Sequence, residues 1–321
     1  MNKCDIIFYD NVSSGYTSST HYEKGYGAAA MEAVFMLNHI AKSKHVVAFT
    51  RTTKLETQEG VEWKNYILCK DYECDTLIVF RYSTIPPIKY KRLIVWVEDA
   101  APQAHKHLFP ALLEPNTTLV VISEWQKSLF LGVNKAVTIN SSLPQWVFDY
   151  KSSKDKDKFI YASANIKGLK STVQYWLELK KNPLFKDAKL YVCTPGYDTI
   201  DEKILKEAGI IFLGSLTFDK VVEHIASSFA MFYVNDFPET FGVSPYLAEV
   251  LGCRTHILCT HGYGALKELL NSPLVTEDKD QFMREVIEGY INGGYYAAPT
   301  KFINRLELQK WDALLRSVKN V

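Results

Sequence analysis

The sequence predicts an α/β protein of two doubly wound domains that face each other across a cleft. Short β-branched strands alternate with helical stretches along the whole chain, and 321 residues are enough for two domains with a core each. A polar, lysine-rich segment at 149–159 has no apolar period and interrupts this alternation. Strands that are separated by helices indicate parallel sheets covered on both faces.

The first domain is expected to span residues 1–150. Its predicted strands are CDIIFYD, HVVAFT, TLIVF, RLIVWVED, TTLVVIS and AVTIN. A glycine-punctuated loop, SSGYTSSTHYEKGYG, leads from the first strand into AAAMEAVFMLNHIAKS, which has the period of a helix. This order is typical of a doubly wound sheet.

The second domain is expected to span residues 151–302, after the lysine-rich segment. Its predicted strands are FIYAS, KLYVC, IIFLG, AMFYV and THILC. Between and after them we predict helices at 169–181, 201–208, 218–228, 245–251, 264–270 and 279–291. A last helix, within 303–321, is expected to pack back toward the N-terminal domain.

The composition is that of an ordinary globular protein. Apolar residues make up 47% of the chain, charged residues 23%, and the formal net charge of +1 gives no reason to expect nucleic-acid binding. The segment MNKCDIIFYDN reads as a short strand and not as a signal peptide, and six cysteines without a CxxC pair read as reduced core thiols. We therefore expect a cytoplasmic protein. A peripheral membrane contact stays open, although no basic amphipathic helix indicates one.

The stretch PETFGVSPYLAEVLGC, at 238–253, carries the strongest candidate residue. A buried strand, AMFYVND, precedes it, and an apolar helix that ends at Gly252 follows. Glu239 is therefore predicted in the loop between the carboxyl end of a strand and the start of a helix. Open α/β sheets bind ligands there, and free helical N–H groups favour anions. A carboxylate in such a loop would hold the neutral hydroxyls of a ligand whose phosphates lie nearby.

Two further loops have the composition of a phosphate site. In SANIKGLKS, Lys167 stands beside a glycine at the start of a helix, which suits a diphosphate; a solvated lysine is the equal alternative. In EKGYGAAAMEA, glycines such as Gly27 would let the backbone approach a phosphate or sugar closely, but a plain flexible turn explains them as well.

The segment VWVEDAAPQAH places Glu98 and Asp99 at the end of a buried strand. Asp99 is a candidate base for an acceptor hydroxyl, with a helix-capping role as the alternative. His105 and His107 are expected at the surface, because no third ligand has metal spacing. The Asp-x-Asp at 155–157 lies in the lysine-rich linker and not at the end of a buried strand, so no metal site is predicted.

With these residues in place, the sequence resembles the retaining glycosyltransferases of family 4, which have the GT-B fold of two Rossmann-like domains. The resemblance extends over nearly the whole chain and is strongest from 159 to 270. The family signature is Glu, any residue, Phe-Gly, four residues, Glu-Ala and a later Gly; the chain matches it at Glu239, Phe241, Gly242, Ala248 and Gly252. FIYASANIKGL, LVVISEWQKSLF and THGYGALKEL are similar to three other segments of the family.

The resemblance implies that the first domain lies on the acceptor side and that the second binds the nucleotide-sugar donor. It also implies a role for each matching position. Glu239 would hold the hydroxyls of the donor sugar, and Lys167 would meet the diphosphate. The amides of Phe241, Gly242 and Val243 would contact sugar or diphosphate. The loop LGSLTFD would meet the base through backbone near Ser215 and Leu216.

The chain departs from the family pattern at three places. Leu247 replaces the second Glu of the signature, with Glu249 two residues on, and Ala162 occupies the position of an arginine. The pair Glu98–Asp99 stands where the family has His-Asp. Leu247 and Ala162 remove groups that usually hold ribose and diphosphate.

The function that the resemblance implies is retaining transfer of a hexosyl or pentosyl group. The sugar would move from a nucleoside-diphosphate sugar to a hydroxyl of a glycan, glycoprotein or glycolipid, with no cofactor and no essential metal. Two other functions stay open: a catalytically inactive relative that binds a glycan or protein, and a sugar-nucleotide epimerase on the same fold.

Overall fold

The computed structural model describes residues 2–20, 25, 27–133, 135–194, 206, 208–270, 274–293 and 304–316. Contacts between Cα atoms divide the chain into two compact units. The first comprises Met1–His21, Ala28–Leu143 and Phe302–Val321, and the second comprises Tyr22–Gly27 and Pro144–Lys301.

The first unit contains an eight-stranded sheet in the order β3-β4-β2-β1-β5-β6-β7-β8. Its strands are β1 Asn2–Tyr9, β2 Val46–Thr50, β3 Glu56–Gln58, β4 Val61–Asn65, β5 Tyr72–Phe80, β6 Lys89–Val97, β7 Thr117–Val121 and β8 Ala136–Thr138. The pairings are parallel except that between β3 and β4. Sequence analysis did not predict this hairpin, because ETQ is too polar and too short to show a strand period.

Helices of the first unit cover the sheet. They are α1 Ala28–Ile40, α2 Phe109–Leu112, α3 Glu124–Ser128 and α10 Asn304–Arg316. The last of them belongs to this unit through Trp311, whose ring meets that of Trp96 in β6 at 4.9 Å between centroids. Glu307 of the same helix accepts a hydrogen bond from the backbone N–H of Asn140, at 2.7 Å. Helix α10 therefore contributes to the core of the first unit.

The second unit contains a six-stranded parallel sheet in the order β11-β10-β9-β12-β13-β14. Its strands are β9 Asp155–Ala162, β10 Lys189–Cys193, β11 Ile210–Gly214, β12 Ser228–Asn235, β13 Arg254–Cys259 and β14 Val275–Thr276. The first strand begins at Asp155, inside the lysine-rich segment that sequence analysis interpreted as a linker. Its first two residues are exposed and the third is half-buried, so their polar side chains give no strand pattern in the sequence. The backbone nevertheless pairs in the sheet, Asp155 with Ser228.

The helices of the second unit are α4 Gln145–Asp149, α5 Leu169–Leu179, α6 Phe218–Ser227, α7 Val243–Val250, α8 Leu266–Leu269 and α9 Lys279–Asn292. The helix predicted at 201–208 lies almost wholly outside the described residues. The one predicted at 264–270 is confined to α8, because Gly264 has a left-handed backbone and ends the loop before it. Both sheets and their helices confirm the predicted α/β class and the two doubly wound units.

All six cysteines are buried and unpaired, as expected for core thiols. Burial, with neighbouring carboxylates, raises the pKa of Cys4 to about 12. These thiols are therefore held in the form that neither ligates metal nor attacks a substrate. Within the part of the chain that the structure describes, no helix is both long and apolar enough to cross a membrane.

Candidate functional site

The candidate site lies where the strand order of the second unit reverses. The chain enters this sheet at β9, builds outward through β10 and β11, and then returns to place β12 on the other side of β9. The carboxyl ends of β9 and β12 are thus adjacent and their connections leave in opposite directions, which opens a crevice where such sheets bind ligands. Lys167 follows β9 and Glu239 follows β12, so the topology brings the two strongest candidates together.

Glu239 is fixed by its backbone as well as by its side chain. It forms a parallel β-bridge with Gly264, and the N–H of Ala265 donates to its carbonyl oxygen at 2.8 Å. A Cβ on Gly264 would come within 2.2 Å of that oxygen, and the glycine has a φ of +59°. Only glycine tolerates both the contact and the backbone angle. The late glycine-rich loop therefore serves to hold Glu239 in place.

Lys167 reaches Glu239 because its loop packs directly on the end of β12. Lys167 ends a short 3-10 helix, and its carbonyl oxygen accepts from the N–H of Asp236 at 2.9 Å. Gly168, with a φ of +130°, caps α5, and a Cβ there would come within 2.2 Å of the carbonyl oxygen of Val234. In this arrangement Lys167 Nζ lies 2.6 Å from Oε2 of Glu239.

The second oxygen of Glu239 is bound by a residue that sequence analysis missed. The phenol of Tyr233, in β12, donates to Oε1 of Glu239 at 2.7 Å. Burial raises the pKa of Tyr233 well above its ordinary value, and the nearby charge of Glu239 adds to the effect. The phenol hence keeps its proton. Every residue of β12 is buried, so no period in the sequence distinguishes Tyr233 from the core residues beside it.

A second carboxylate lies at the start of α5. Asp236 accepts from the hydroxyl of Ser171 at 2.7 Å and from that of Thr260 at 2.8 Å. Ser171 is in the first turn of α5, whose N-cap, Gly168, supplies no capping side chain. The negative charge of Asp236 therefore stabilises the positive end of this helix, in the region where sequence analysis expected a diphosphate.

The helix after Glu239 begins as expected but is buried on more than one face. Gly242 caps α7 with a φ of +86° and no side-chain hydrogen bond, and Val243 is the first helical residue. The ring of Phe241 is buried against Tyr246, with centroids 5.3 Å apart, so only backbone of this residue could meet a ligand. Both Leu247, 2% exposed, and Glu249, 5% exposed, are enclosed.

The loop expected to meet a base is partly open. Ser215 is exposed and Leu216 half-buried, at the end of β11. Gly25 packs on this loop so closely that a Cβ would lie 2.3 Å from Oγ of Ser215. At Gly27 an added Cβ would meet no atom within 4 Å. Gly25 is therefore required by packing against the protein itself, whereas the approach of a phosphate or sugar to Gly27 stays a prediction.

In the first unit, the predicted base Asp99 is paired with an arginine. Nε and a terminal nitrogen of Arg81 donate to its two oxygens at 3.0 and 2.9 Å. Arg81 follows β5 and has a φ of +56°, a strained value for a residue with a side chain. Burial lowers the pKa of Arg81, but the hydrogen bonds and charge of Asp99 outweigh burial and raise it. A base role for Asp99 stays a prediction and requires this pair to loosen.

Two buried carboxyl groups accompany Asp99. Glu98 and Glu32 are 8% and 6% exposed, and one oxygen of each has no hydrogen-bond partner. Burial, together with the charge of Glu307, raises the pKa of Glu32 to about 8. Burial and the charge of Glu32 likewise raise the pKa of Glu98 well above its ordinary range. Near neutral pH, the protonated forms of Glu32 and Glu98 are thus favoured.

The structure corrects the prediction for one histidine. His105 is fully buried and contacts the carbonyl oxygen of Ala101 through Nδ1 at 3.0 Å, whereas His107 is exposed as predicted. The 3-10 helix after β6, Pro102–Leu108, packs the ring of His105 against those of Tyr82 and Phe130, which a polar sequence context does not indicate. Among the described residues, no group of three potential ligands could hold a metal ion.

A separate cavity lies away from the predicted residues. It has a volume of about 430 Å³, and four polar residues of α5, α9 and the adjoining turns contribute to its wall: Glu178, Asn182, Asp280 and Arg284. None of the predicted site residues lines it. The chemistry of the switch point, and not the size of this cavity, identifies the candidate site.

Comparison with solved structures identifies the fold as GT-B. The chain is similar to AviGT4, a glycosyltransferase involved in avilamycin A biosynthesis (12% identity, TM-score 0.65, 98% of each chain covered). It is also similar to HepE from Anabaena in complex with UDP-glucose (13% identity, TM-score 0.67, 98% of this chain and 100% of that one). The chain is similar as well to WaaG, a glycosyltransferase involved in lipopolysaccharide biosynthesis (12% identity, TM-score 0.59, 97% of this chain and 94% of that one).

No protein-family model and no curated protein sequence matches the chain. At 12% to 13% identity, the similarity to these three structures extends to the fold and not to the residues of a site.

Proposed function

We propose that the protein is a retaining glycosyltransferase that moves a sugar from a nucleoside-diphosphate sugar to a hydroxyl group. The acceptor would be a glycan or a molecule that carries one. HepE was solved with UDP-glucose, and a donor of this chemical class suits the charges of the candidate site.

The observation that carries the proposal is the contact between Glu239 and Lys167 at the switch point. A sugar nucleotide presents neutral hydroxyls next to a diphosphate, and its recognition needs an acceptor of hydrogen bonds beside a cation. Glu239 supplies the first and Lys167 the second, with 2.6 Å between Oε2 and Nζ. The amides of Phe241, Gly242 and Val243, at the uncapped start of α7, would add donors for sugar or diphosphate oxygens.

The chemistry would follow a front-face displacement. The bond between the anomeric carbon and the diphosphate oxygen breaks, and the acceptor oxygen bonds to the same face of that carbon. The leaving diphosphate would help to take the acceptor proton, beside the base role predicted for Asp99. Lys167 would stabilise the charge that develops on the leaving group, which is where an oriented cation lowers the barrier most.

The remaining predicted residues would serve the two ends of the reaction. Ser215 and Leu216 would contact the base through their backbone, and Gly27 would leave room beside a phosphate or sugar. Asp99 would orient the acceptor hydroxyl once its pair with Arg81 loosens. We propose no cofactor and no essential metal, because Lys167 and backbone N–H groups can meet the phosphate charge.

Titration calorimetry with a panel of nucleotides, followed by a hydrolysis assay on the sugar nucleotide that binds best, tests the proposal. Binding of one sugar nucleotide and release of its nucleoside diphosphate, unaffected by EDTA, would support it. Inhibition by EDTA with rescue by magnesium or manganese would contradict the metal-independent mechanism. Binding without turnover in the presence of acceptor sugars would favour an inactive sugar-binding protein. The reason to consider this alternative is Leu247, which occupies the position of a family glutamate.

A further inference from the structure

We infer that Tyr233 is a positioning residue that fixes the carboxylate of Glu239 for the donor sugar; this inference rests on the proposed function. The phenol oxygen lies 2.7 Å from Oε1 of Glu239. Tyr233 is 1% exposed and Glu239 3%, whereas the side chain of Lys167, on the other oxygen of the carboxylate, is 38% exposed. A ligand would therefore reach Glu239 from the side of Lys167, and an effect of Tyr233 on donor binding is expected to pass through Glu239.

The hydrogen of the phenol is directed to Glu239. Three oxygens surround the Tyr233 hydroxyl: Glu239 Oε1 at 2.7 Å, Ser163 Oγ at 3.3 Å and Asn235 Oδ1 at 3.5 Å. A phenol has one hydrogen to donate, and the ionised carboxylate is both the nearest acceptor and the strongest. The hydroxyl of Ser163 can donate to the phenol oxygen in turn, which completes a chain from Ser163 through Tyr233 to Glu239.

The two side chains that donate hydrogen bonds to Glu239 would respond differently to a bound ligand. Lys167 is a cation with a side chain that is 38% exposed, so a bound diphosphate can draw it away from the carboxylate. Tyr233 is neutral and enclosed, so its hydrogen bond stays. A carboxylate offers about four positions for hydrogen bonds, which leaves room for two sugar hydroxyls beside Tyr233. Tyr233 thus fixes the directions in which the other positions point.

Packing alone gives no reason for a hydroxyl at this position. The eight residues of β12 are buried, and the ring of Tyr233 packs on Tyr161 with centroids 5.4 Å apart. A phenylalanine would fill the same space without a polar atom that needs a partner. The partner that the hydroxyl has is the one charged side chain proposed to bind the sugar.

The test compares wild type with Tyr233→Phe in calorimetric titrations with UDP-glucose and UDP, or with the corresponding pair from the panel that binds. Tyr233→Phe should weaken binding of the sugar nucleotide about 10-fold and leave the affinity for the nucleoside diphosphate unchanged. A purely structural defect would weaken both. The control is Tyr290→Phe, which removes a tyrosine–carboxylate hydrogen bond to Asp157 near the amino end of β9, whereas the candidate site lies at the carboxyl ends of the strands. It should change neither affinity.

A double-variant cycle decides whether Tyr233 acts through Glu239. In a Glu239→Ala background, which leaves no acceptor for the phenol, Tyr233→Phe should cost no further affinity for the sugar nucleotide. If Tyr233→Phe does not fold, Ser163→Ala, at a half-buried position, should give a smaller loss of the same sugar-specific kind. Equal losses for both nucleotides, or additive losses in the cycle, would overturn the inference alone. If no nucleotide binds to wild type, the proposed function fails and the inference falls with it.

Discussion

Lys167 and Glu239 are 72 residues apart in sequence and form an ion pair, with Nζ 2.6 Å from Oε2. Sequence analysis assigned them separate tasks, one for a diphosphate and one for sugar hydroxyls. The structure shows that each is the partner of the other. In the proposed function, donor binding must therefore exchange this pair for contacts with the diphosphate and the sugar, and the variants below follow from that exchange.

Glu239→Gln should lower kcat/KM for transfer by about 10- to 150-fold, because a hydrogen bond to a charged group contributes about 1.5–3 kcal/mol. Glutamine keeps the shape of the side chain but offers its amide, and no charge, to sugar hydroxyls. Steady-state kinetics measures the loss in kcat/KM, and thermal unfolding of the same samples measures any change in stability. Glu223→Gln, an exposed change of the same kind on α6, is the control. Turnover equal to wild type in Glu239→Gln would remove this residue from the site.

Lys167→Ala should weaken binding of a nucleoside diphosphate much more than binding of the nucleoside. The lysine is the one side-chain cation assigned to the phosphates, since Ala162 stands where an arginine would give a second. Calorimetric titration with UDP and uridine measures the difference. Lys170→Ala, an exposed residue on α5 three positions further on, should leave both affinities unchanged. Equal losses for nucleoside and diphosphate in Lys167→Ala would mean that the lysine only supports Glu239.

Asp236→Asn should strengthen nucleoside-diphosphate binding by about 2- to 5-fold. The aspartate places a negative charge at the start of α5, and a charge near a helix terminus contributes about 0.3–1 kcal/mol. Removal of that charge leaves the helix end free to attract phosphate. The matched change is Asp219→Asn in the first turn of α6, which should have no effect. Weaker binding in Asp236→Asn would show instead that the hydrogen bonds to Ser171 and Thr260 shape the site.

The wild-type protein should bind ribo- and deoxyribonucleoside diphosphates within a few-fold of each other. Leu247 offers no acceptor to the ribose hydroxyls, and residues two apart on a helix point about 200° from each other, so Glu249 cannot replace it. Leu247→Glu should shift the affinity ratio toward ribose, by up to about 10- to 150-fold. Leu247→Met is the control. A 100-fold ribose preference in wild type that Glu249→Ala abolishes would show that Glu249 is the ribose ligand.

Glu32 should make the first unit less stable as pH rises from about 5 to about 8. Its pKa is about 8 in the folded protein against an ordinary value of 4.5, so in that interval the folded state holds a proton that the unfolded state has lost. Stability is therefore greatest below the unfolded pKa and falls as pH increases toward the folded one. Thermal unfolding from pH 5 to pH 8.5 should show this slope in wild type and a smaller slope in Glu32→Gln. The exposed change Glu124→Gln should keep the wild-type slope.

The fold was largely predictable because it depends on patterns that are local in the sequence. Runs such as IIFY and LIVF are short and rich in β-branched or aromatic residues, and the helices between them have a clear apolar period. The failures have local reasons as well. β3 is too short to show a period, and the start of β9 carries exposed charged residues although its backbone pairs in the sheet.

The sequence alone determined the two doubly wound units and indicated Glu239 and Lys167 as site residues. Only the tertiary structure decided how these residues interact. Strand order places the ends of β9 and β12 side by side. This order is set by packing between distant parts of the chain and cannot be predicted from a short stretch of sequence. Tyr233 is hidden among core residues of a fully buried strand, and Arg81 is placed on Asp99 by a backbone angle that propensity disfavours. Tyr233 and Glu239 are only 6 residues apart, and Arg81 and Asp99 are 18 apart, yet neither contact follows a strand or helix period. The physical reason is the same in both cases: the path of the chain beyond a strand end, set by tertiary packing, decides which side chains meet.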